Sequence, residues 1–334
     1  MFDVNRCDLC GICLAKCAYI ECDEERAAFM IDLLVRGEYV KEMYQCVTCF
    51  ACNEYCTKRA RPFDLILTRL EEWGNYVTPE TIHAARHSLM TPDDFIPPVV
   101  SEPVLALCTV DPYMPFPLEG QLFANMSIVK GNHFDCGGIL SHFGNKSLMC
   151  ERLRLLAEKY ASLNVDEIIF LHDNCYSLMA EIAPTLGIEL SFRPVHIFEY
   201  LLDCLKRHKY RIRPLNLKIA YQRPCSSRFT PWKEPMLDEI FKLIGVERIA
   251  RQFDRQDALC CGQTFNQCIR QGDRMAYFQH LNVRDAARHG ASAMVFLCPL
   301  CLDALSSQAK QEGLESYMIT DLCRIALLET LSPF

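Results

Sequence analysis

Thirteen of the 21 cysteines in this 334-residue chain stand at spacings that gather sulfur. Cys7, Cys10, Cys13 and Cys17 lie in CDLCGICLAKC, and Cys46, Cys49, Cys52 and Cys56 lie in CVTCFACNEYC. Both runs read C-x2-C-x2-C-x3-C, four thiols in eleven residues. Farther on, Cys225, the adjacent pair Cys260 and Cys261, then Cys298 and Cys301 read C-x34-CC-x36-C-x2-C. Neighbouring cysteines bridge to each other poorly, because a disulfide demands a particular separation and torsion. The chemistry such groups offer is metal ligation by thiolate.

The first two runs have the bacterial ferredoxin spacing, in which three cysteines wrap one cube and the fourth crosses to the other. Cys7, Cys10, Cys13 and Cys56 are thus expected on one [4Fe-4S] cubane cluster, and Cys46, Cys49, Cys52 and Cys17 on a second. Zinc knots instead place two Cys/His pairs around a longer spacer. Ala18 and Thr57 stand where a proline usually follows the fourth cysteine. Two buried cubes side by side make an electron relay rather than a substrate site.

Composition narrows the setting. Half the residues are apolar, and the net charge of -7 gives nucleic acid no basic footprint. No run of 18 apolar residues exists, so no direct membrane span is expected. The start, MFDVNRCDLC, lacks the basic and apolar regions of a secretory signal. An odd cysteine count without a signal suits metal-bound thiolates in a reducing compartment better than a secreted disulfide scaffold. A cytoplasmic location follows, with any membrane association through a partner.

The elements that position these sulfurs follow from periodicity. DEERAAFMIDLLVRGEY reads as a helix with Phe29, Met30, Leu33 and Leu34 on one face. Pro62 starts another, with Leu65, Ile66, Leu70 and Trp73 to pack. Residues 1–75 therefore form a mostly helical two-cluster domain, and the proline-rich 76–102 a linker. The remainder is a repeat: IIFLHDNC at 168–175 matches MVFLCPLC at 294–301, and DCGG at 135–138 matches CCGQ at 260–263. Its halves run from 103 to 205 and from 217 to 331, joined by a basic linker at 206–216. Each alternates short apolar strands with helices, which implies a small parallel sheet. Ligands at the carboxyl ends of parallel strands converge on one crevice.

These motifs resemble the CCG cysteine-rich domain family of the heterodisulfide reductases. The N-terminal quarter is similar to the small ferredoxin-like subunit of that enzyme, and the remainder to its larger subunit with duplicated CCG domains. One chain carrying both resembles the fused subunit of the membrane-linked version. It also resembles the iron–sulfur subunits of glycolate oxidase and of anaerobic glycerol-3-phosphate dehydrogenase. The resemblance implies a noncubane [4Fe-4S] cluster on Cys225, Cys260, Cys261, Cys298 and Cys301. It implies a flavoprotein partner, like that of heterodisulfide reductase or a flavin dehydrogenase, or a membrane cytochrome. A thiol or disulfide coenzyme as substrate and an anaerobic prokaryote as source are further implications. Gln222-Arg223-Pro224-Cys225 departs from the family's H-D-P-C.

The first half is degenerate. Its matching positions are Cys108, Asp135, Cys136, His172 and Cys175, so two of five thiolates are replaced. Three readings stay open: a scaffold without metal; a site of Cys108, Cys136, His172 and Cys175 for zinc or an iron–sulfur cluster; or a cluster using Asp135 as an oxygen ligand. Asp135 and His172 are alternatively polar or proton-donating groups in the crevice. His133, His142 and His196 read as hydrogen-bonded structural groups, and Cys22, Cys150, Cys204, Cys268 and Cys323 as core.

The expected function is that of an iron–sulfur electron-transfer subunit, relaying electrons through two cubanes to or from the noncubane site. The alternatives are a catalytic disulfide reductase acting on a thiol-coenzyme disulfide, the iron–sulfur subunit of a flavin-dependent 2-hydroxy acid or glycerol-3-phosphate dehydrogenase, and a docking protein. Without a GxGxxG fingerprint, flavin and nicotinamide are expected on a partner.

Overall fold

The computed structural model describes residues 1–74, 76–91, 95–264 and 272–329, and Cys268 lies outside them. The first 74 residues are helical, with helices at Ile12–Ala15, Glu24–Arg36, Ala51–Tyr55 and Pro62–Trp73. Asp23 caps the second of these by accepting from the Arg26 amide at 2.8 Å. Its buried stripe is Ala27, Met30, Ile31 and Leu34, an i, i+3, i+4, i+7 set. This corrects the expected face: Phe29 is exposed and Leu33 only half-buried. Acidic and aromatic neighbours mask a stripe that begins one turn earlier, at an alanine. Gly11 lies so close to this helix that a Cβ would meet the Ala28 amide nitrogen at 2.2 Å.

The expected linker at 76–102 contains a helix, Pro79–Met90. Pro79 occupies the first turn, where its missing N–H costs nothing, and the Thr78 hydroxyl accepts from the Thr81 amide at 3.3 Å. The proline expected as a breaker is a start. Arg152 reaches back to the Leu89 carbonyl at 2.7 Å and ties this helix down.

Two four-stranded parallel sheets follow. In the first, β1 (Val104–Cys108), β2 (Ser127–Lys130), β3 (Glu167–Phe170) and β4 (Arg193–His196) lie in the order β2-β1-β3-β4. In the second, β5 (Leu217–Gln222), β6 (Val246–Arg248), β7 (Ala293–Phe296) and β8 (Glu315–Met318) lie in the order β6-β5-β7-β8. The two sheets thus have one topology, and in each the first strand is central. The chain leaves that strand to one side and returns on the other, which opens a crevice at the carboxyl ends.

The halves share a core. Leu105, Ile169 and Val195 from the first pack in one apolar cluster with Ile219, Tyr221 and Val295 from the second. Helices Ile197–Arg207 and Glu234–Leu243 lie against each other. The segment expected as a solvated linker at 206–216 is tied at both sides: Arg213 N donates to Ala326 O at 2.8 Å and Leu215 N to Ile244 O at 2.9 Å. Among the described residues, no helix is long and apolar enough to cross a membrane.

Candidate metal centres

The two N-terminal cysteine loops share a backbone form. Leu9 and Gly11 in the first, and Thr48 and Phe50 at the matching places in the second, all have positive φ between 50° and 72°. Such left-handed turns aim consecutive amides inward and suit an anionic guest. The Thr48 amide donates to Cys46 Sγ and the Ala60 amide to Cys56 Sγ, each at 3.3 Å.

Cys13 lies among Cys56, Cys7 and Cys10. Cys17 faces Cys46 and Cys49, and Cys52 faces Cys13 as well as Cys46, Cys49 and Cys17. Burial, reinforced by neighbouring sulfurs, pushes the Cys13 thiol up to about 12. Burial likewise pushes Cys49 up to about 12, against the pull of Arg228. These groups become thiolates together only with a compensating cation, which an iron–sulfur core provides. The donor sets fit that group. Cys22 and Cys150 are half-buried rather than core, whereas Cys204 and Cys323 are buried as expected; every described cysteine is free of disulfides.

The C-terminal half gathers its five sulfurs at the crevice. Cys225 follows β5, Cys260 and Cys261 lie beyond β6, and Cys298 and Cys301 follow β7. Cys225 interacts with Cys260, Cys261 and Cys298, and Cys261 with Cys301. Hydrogen bonding from Cys301 holds the Cys298 thiol down near 5, against burial and with the help of His172. Gly262, at φ +75°, turns the chain after the pair.

Both N-terminal cysteine segments touch this crevice. His142 Nδ1 is 2.8 Å from the Thr48 hydroxyl, and its Nε2 is 3.7 Å from Cys225 Sγ. The Cys260 amide donates to the Tyr19 hydroxyl at 2.7 Å. Arg223 forks onto Glu54 with two bonds of 2.7 Å. Arg228, beside Glu54 at 2.9 Å, interacts with Cys49. The Gln-Arg-Pro sequence before Cys225 is therefore a clamp between the helical segment and the second sheet.

The first half places Cys108, Cys136, His172 and Cys175 together, their ligand atoms all within 4.8 Å of one another and all four residues buried. Cys108 ends β1 with φ +59°, where the register with β2 shifts. The Cys136 amide donates to Cys108 Sγ at 3.3 Å. Hydrogen bonds from Cys136, Cys175 and His172 hold the Cys108 thiol well below its ordinary range, against burial. Asp135 does not join the group. One of its oxygens accepts from the Gly137 amide at 2.8 Å and the other from the Thr109 hydroxyl at 3.4 Å.

A buried polar knot centres on Asp173, inside the IIFLHDNC repeat. Asp173 accepts from Ser226 Oγ at 2.5 Å, Ser227 Oγ at 3.0 Å and His196 Nε2 at 3.1 Å, and pairs with Lys233. Burial opposes its charge, yet Lys233 and His196 hold its carboxyl well below the usual range. The signal for it is a departure at one aligned place: Asp173 stands where the second half has Pro299. A cavity of about 320 Å³ opens between the halves, lined by Asp135, His142, His172, Asn174, Cys261, Cys298 and Cys301 among others.

Residues 219–306 match the family model of the CCG cysteine-rich domain, and Cys225, Cys260, Cys261, Cys298 and Cys301 all fall within that span. None of the curated proteins matches the chain. Among solved structures, a hypothetical protein from Helicobacter pylori is similar with a TM-score of 0.57 at 11% identity, over 92% of this chain. The present chain spans 64% of the length of that one. This likeness is one of fold. Picrophilus torridus aspartate racemase has a TM-score of 0.36 at 9% identity over 69% of this chain and 95% of its own. Bacillus anthracis glutamate racemase RacE1 has 0.33 at 13% identity over 70% and 81%. The matched domain and the clustered cysteines point to an iron–sulfur redox role.

Proposed function

We propose that the chain is an iron–sulfur electron-transfer subunit of a heterodisulfide-reductase-like redox complex. Cys7, Cys10, Cys13 and Cys56 would hold one cubane cluster, Cys46, Cys49, Cys52 and Cys17 a second, and Cys225, Cys260, Cys261, Cys298 and Cys301 a noncubane cluster. When bound, these groups supply one-electron redox chemistry. The carrying observation is the contact of both N-terminal cysteine segments with the five-cysteine set: Thr48 of the second reaches Cys225 through His142, and Tyr19, just after the first, meets Cys260. Thr48 and His142 hold one loop against the next by hydrogen bonds. The Arg223–Glu54 fork fixes the spacing, and the surrounding apolar residues exclude water. The redox partner is a flavoprotein or membrane cytochrome.

A second reading is a disulfide reductase. It is favoured by the cavity beside Cys261, Cys298 and Cys301, which offers Asp135, His142 and Asn174 to bind and orient a polar thiol compound.

Freeze-quench EPR after mixing the anaerobic chain with a reduced flavoprotein tests the relay. The signal from the Cys225 site should follow those of the cubanes, and should slow at least tenfold in Cys46→Ser. An unchanged rate in that variant excludes the relay. Disulfide cleavage by the isolated chain would favour the second reading.

A further inference from the structure

The two N-terminal sulfur sets stand in different electrostatic surroundings. At the first, Cys10 is exposed, and its amide donates to Asp8 Oδ1 at 3.3 Å. Burial raises the Cys7 and Cys10 thiols, and the Asp8 carboxylate raises both further. Lys58 stands 3.6 Å from that carboxylate, but its side chain is 55% exposed, and water screens the pair.

At the second, Cys46 and Cys49 are buried, and the C-terminal half sends in cations. Arg228 belongs to the turn Cys225–Phe229. Its side chain is 3% exposed. It donates to Glu54 Oε2 at 2.9 Å, to Gln256 O at 2.7 Å and to Ala258 O at 2.6 Å. Burial raises the Cys49 thiol, and Arg228 leads the pull the other way. Burial raises Cys17 too, and backbone amides, Arg274 and Arg228 oppose it. Arg274 donates to the carbonyl of Gln45, the residue before Cys46, at 3.0 Å. Glu54 does not cancel Arg228, because Arg223 holds both of its oxygens. Two guanidiniums thus share one carboxylate. Glu234, the other carboxylate on Arg223, is itself shared with Arg248 and Arg255. A guanidinium stays charged throughout the working pH range, and a buried charge is screened little by salt.

We propose that Arg228 raises the reduction potential of the cubane on Cys46, Cys49, Cys52 and Cys17 above that of the first cubane, so that an electron entering beside Cys10 is drawn inward toward the five-cysteine set. This rests on the cluster reading of the thirteen cysteines. One electron moves: the first cubane is oxidised by one and the second reduced by one. No proton need follow it, because the permanent charge of Arg228 already faces the added negative charge. Net charge, hydrogen bonding and exposure together set such potentials. Burial alone would push the second cubane the other way, since a dry site resists added negative charge. The buried guanidinium reverses that order. Arg228 acts as a positioning residue, a fixed cation held by three acceptors between the Cys46 loop and the segment that leads to Cys260.

The test is a potentiometric titration of the full anaerobic chain followed by EPR, with the first cubane assigned by its loss in Cys13→Ser. In the native chain the second cubane should titrate above the first. An equal or lower potential would overturn the proposal. In Arg228→Gln the reduced-to-oxidised ratio of the second cubane at a fixed potential should fall at least tenfold, a shift of about 59 mV for one electron, with the first cubane unmoved. Arg228→Lys, which keeps the charge, should restore most of that shift. An unshifted second cubane in Arg228→Gln would overturn the proposal. Should that variant fail to fold, Glu54→Gln decides, because removing the countercharge should raise the same potential. A lowered or unchanged value there would overturn it. Shifts of opposite sign in the two variants cannot come from a general loosening of the site. A native chain without cubane signals would overturn the cluster reading and this inference with it, whereas cubane signals in the wrong order overturn this inference alone.

Discussion

Arg223 grips Glu54 with both arms of its guanidinium, each at 2.7 Å, across 169 residues of sequence. One partner stands two residues before Cys225, and the other lies between Cys52 and Cys56. A buried bidentate pair is valuable less for net stability than for the geometry it imposes. Here it sets the separation of two cysteine loops.

Removing one partner of this pair strands a buried charge. Arg223→Ala should therefore destabilise the chain by about 3–5 kcal/mol, read from urea unfolding midpoints. Arg223→Lys should recover only part of this, since an ammonium cannot fork onto a carboxylate.

The sequence marks His142 as a structural group, and its position gives it more to do. Burial lowers its pKa, and in the tautomer that carries the proton on Nε2 the neutral ring donates to Cys225 and accepts from Thr48. In His142→Phe the cluster site at Cys225 loses a hydrogen bond worth about 1 kcal/mol, or about 40 mV for one electron. A redox titration should show that site falling by about this amount, while both cubane potentials hold.

The repeat, the strand ends and the ligand spacings are legible in the letters because each is local or periodic. The contacts that join the parts are not. Thr48 meets His142 across 94 residues and Tyr19 meets Cys260 across 241, and no pattern marks either pair. Pro79 shows the limit of punctuation, since the same residue type stops one helix and starts another. The four-residue group around Cys108 is visible as a candidate, but its closeness, with all ligand atoms within 4.8 Å of one another, emerges only from the folded distances.

The Asp173 knot carries a pH signature. His196 Nδ1 accepts from the Phe198 amide at 3.1 Å and its Nε2 donates to Asp173, so a second proton has no place. Burial and the nearby Lys233 hold its pKa down at about 4. The unfolded chain takes up that proton near pH 6.5 and the folded chain near 4, so this histidine's contribution to stability falls as pH drops between them. From pH 7 to pH 5 the stability advantage of the native protein over His196→Gln should shrink by about 2 kcal/mol in urea unfolding. A constant difference would mean that His196 does not titrate in this way.

Cysteines should separate by role. Cys261→Ser removes a sulfur from the five-ligand site and should cost about four irons per chain. Cys150→Ser, on a half-buried helix position, should leave the iron content unchanged.

The central claim is that thirteen cysteines hold three clusters, and anaerobic iron analysis joined to EPR tests it most directly. Three clusters predict about 12 irons per chain, with the signals of two cubanes and one distinct noncubane species. About eight irons with cubane signals alone would contradict the claim.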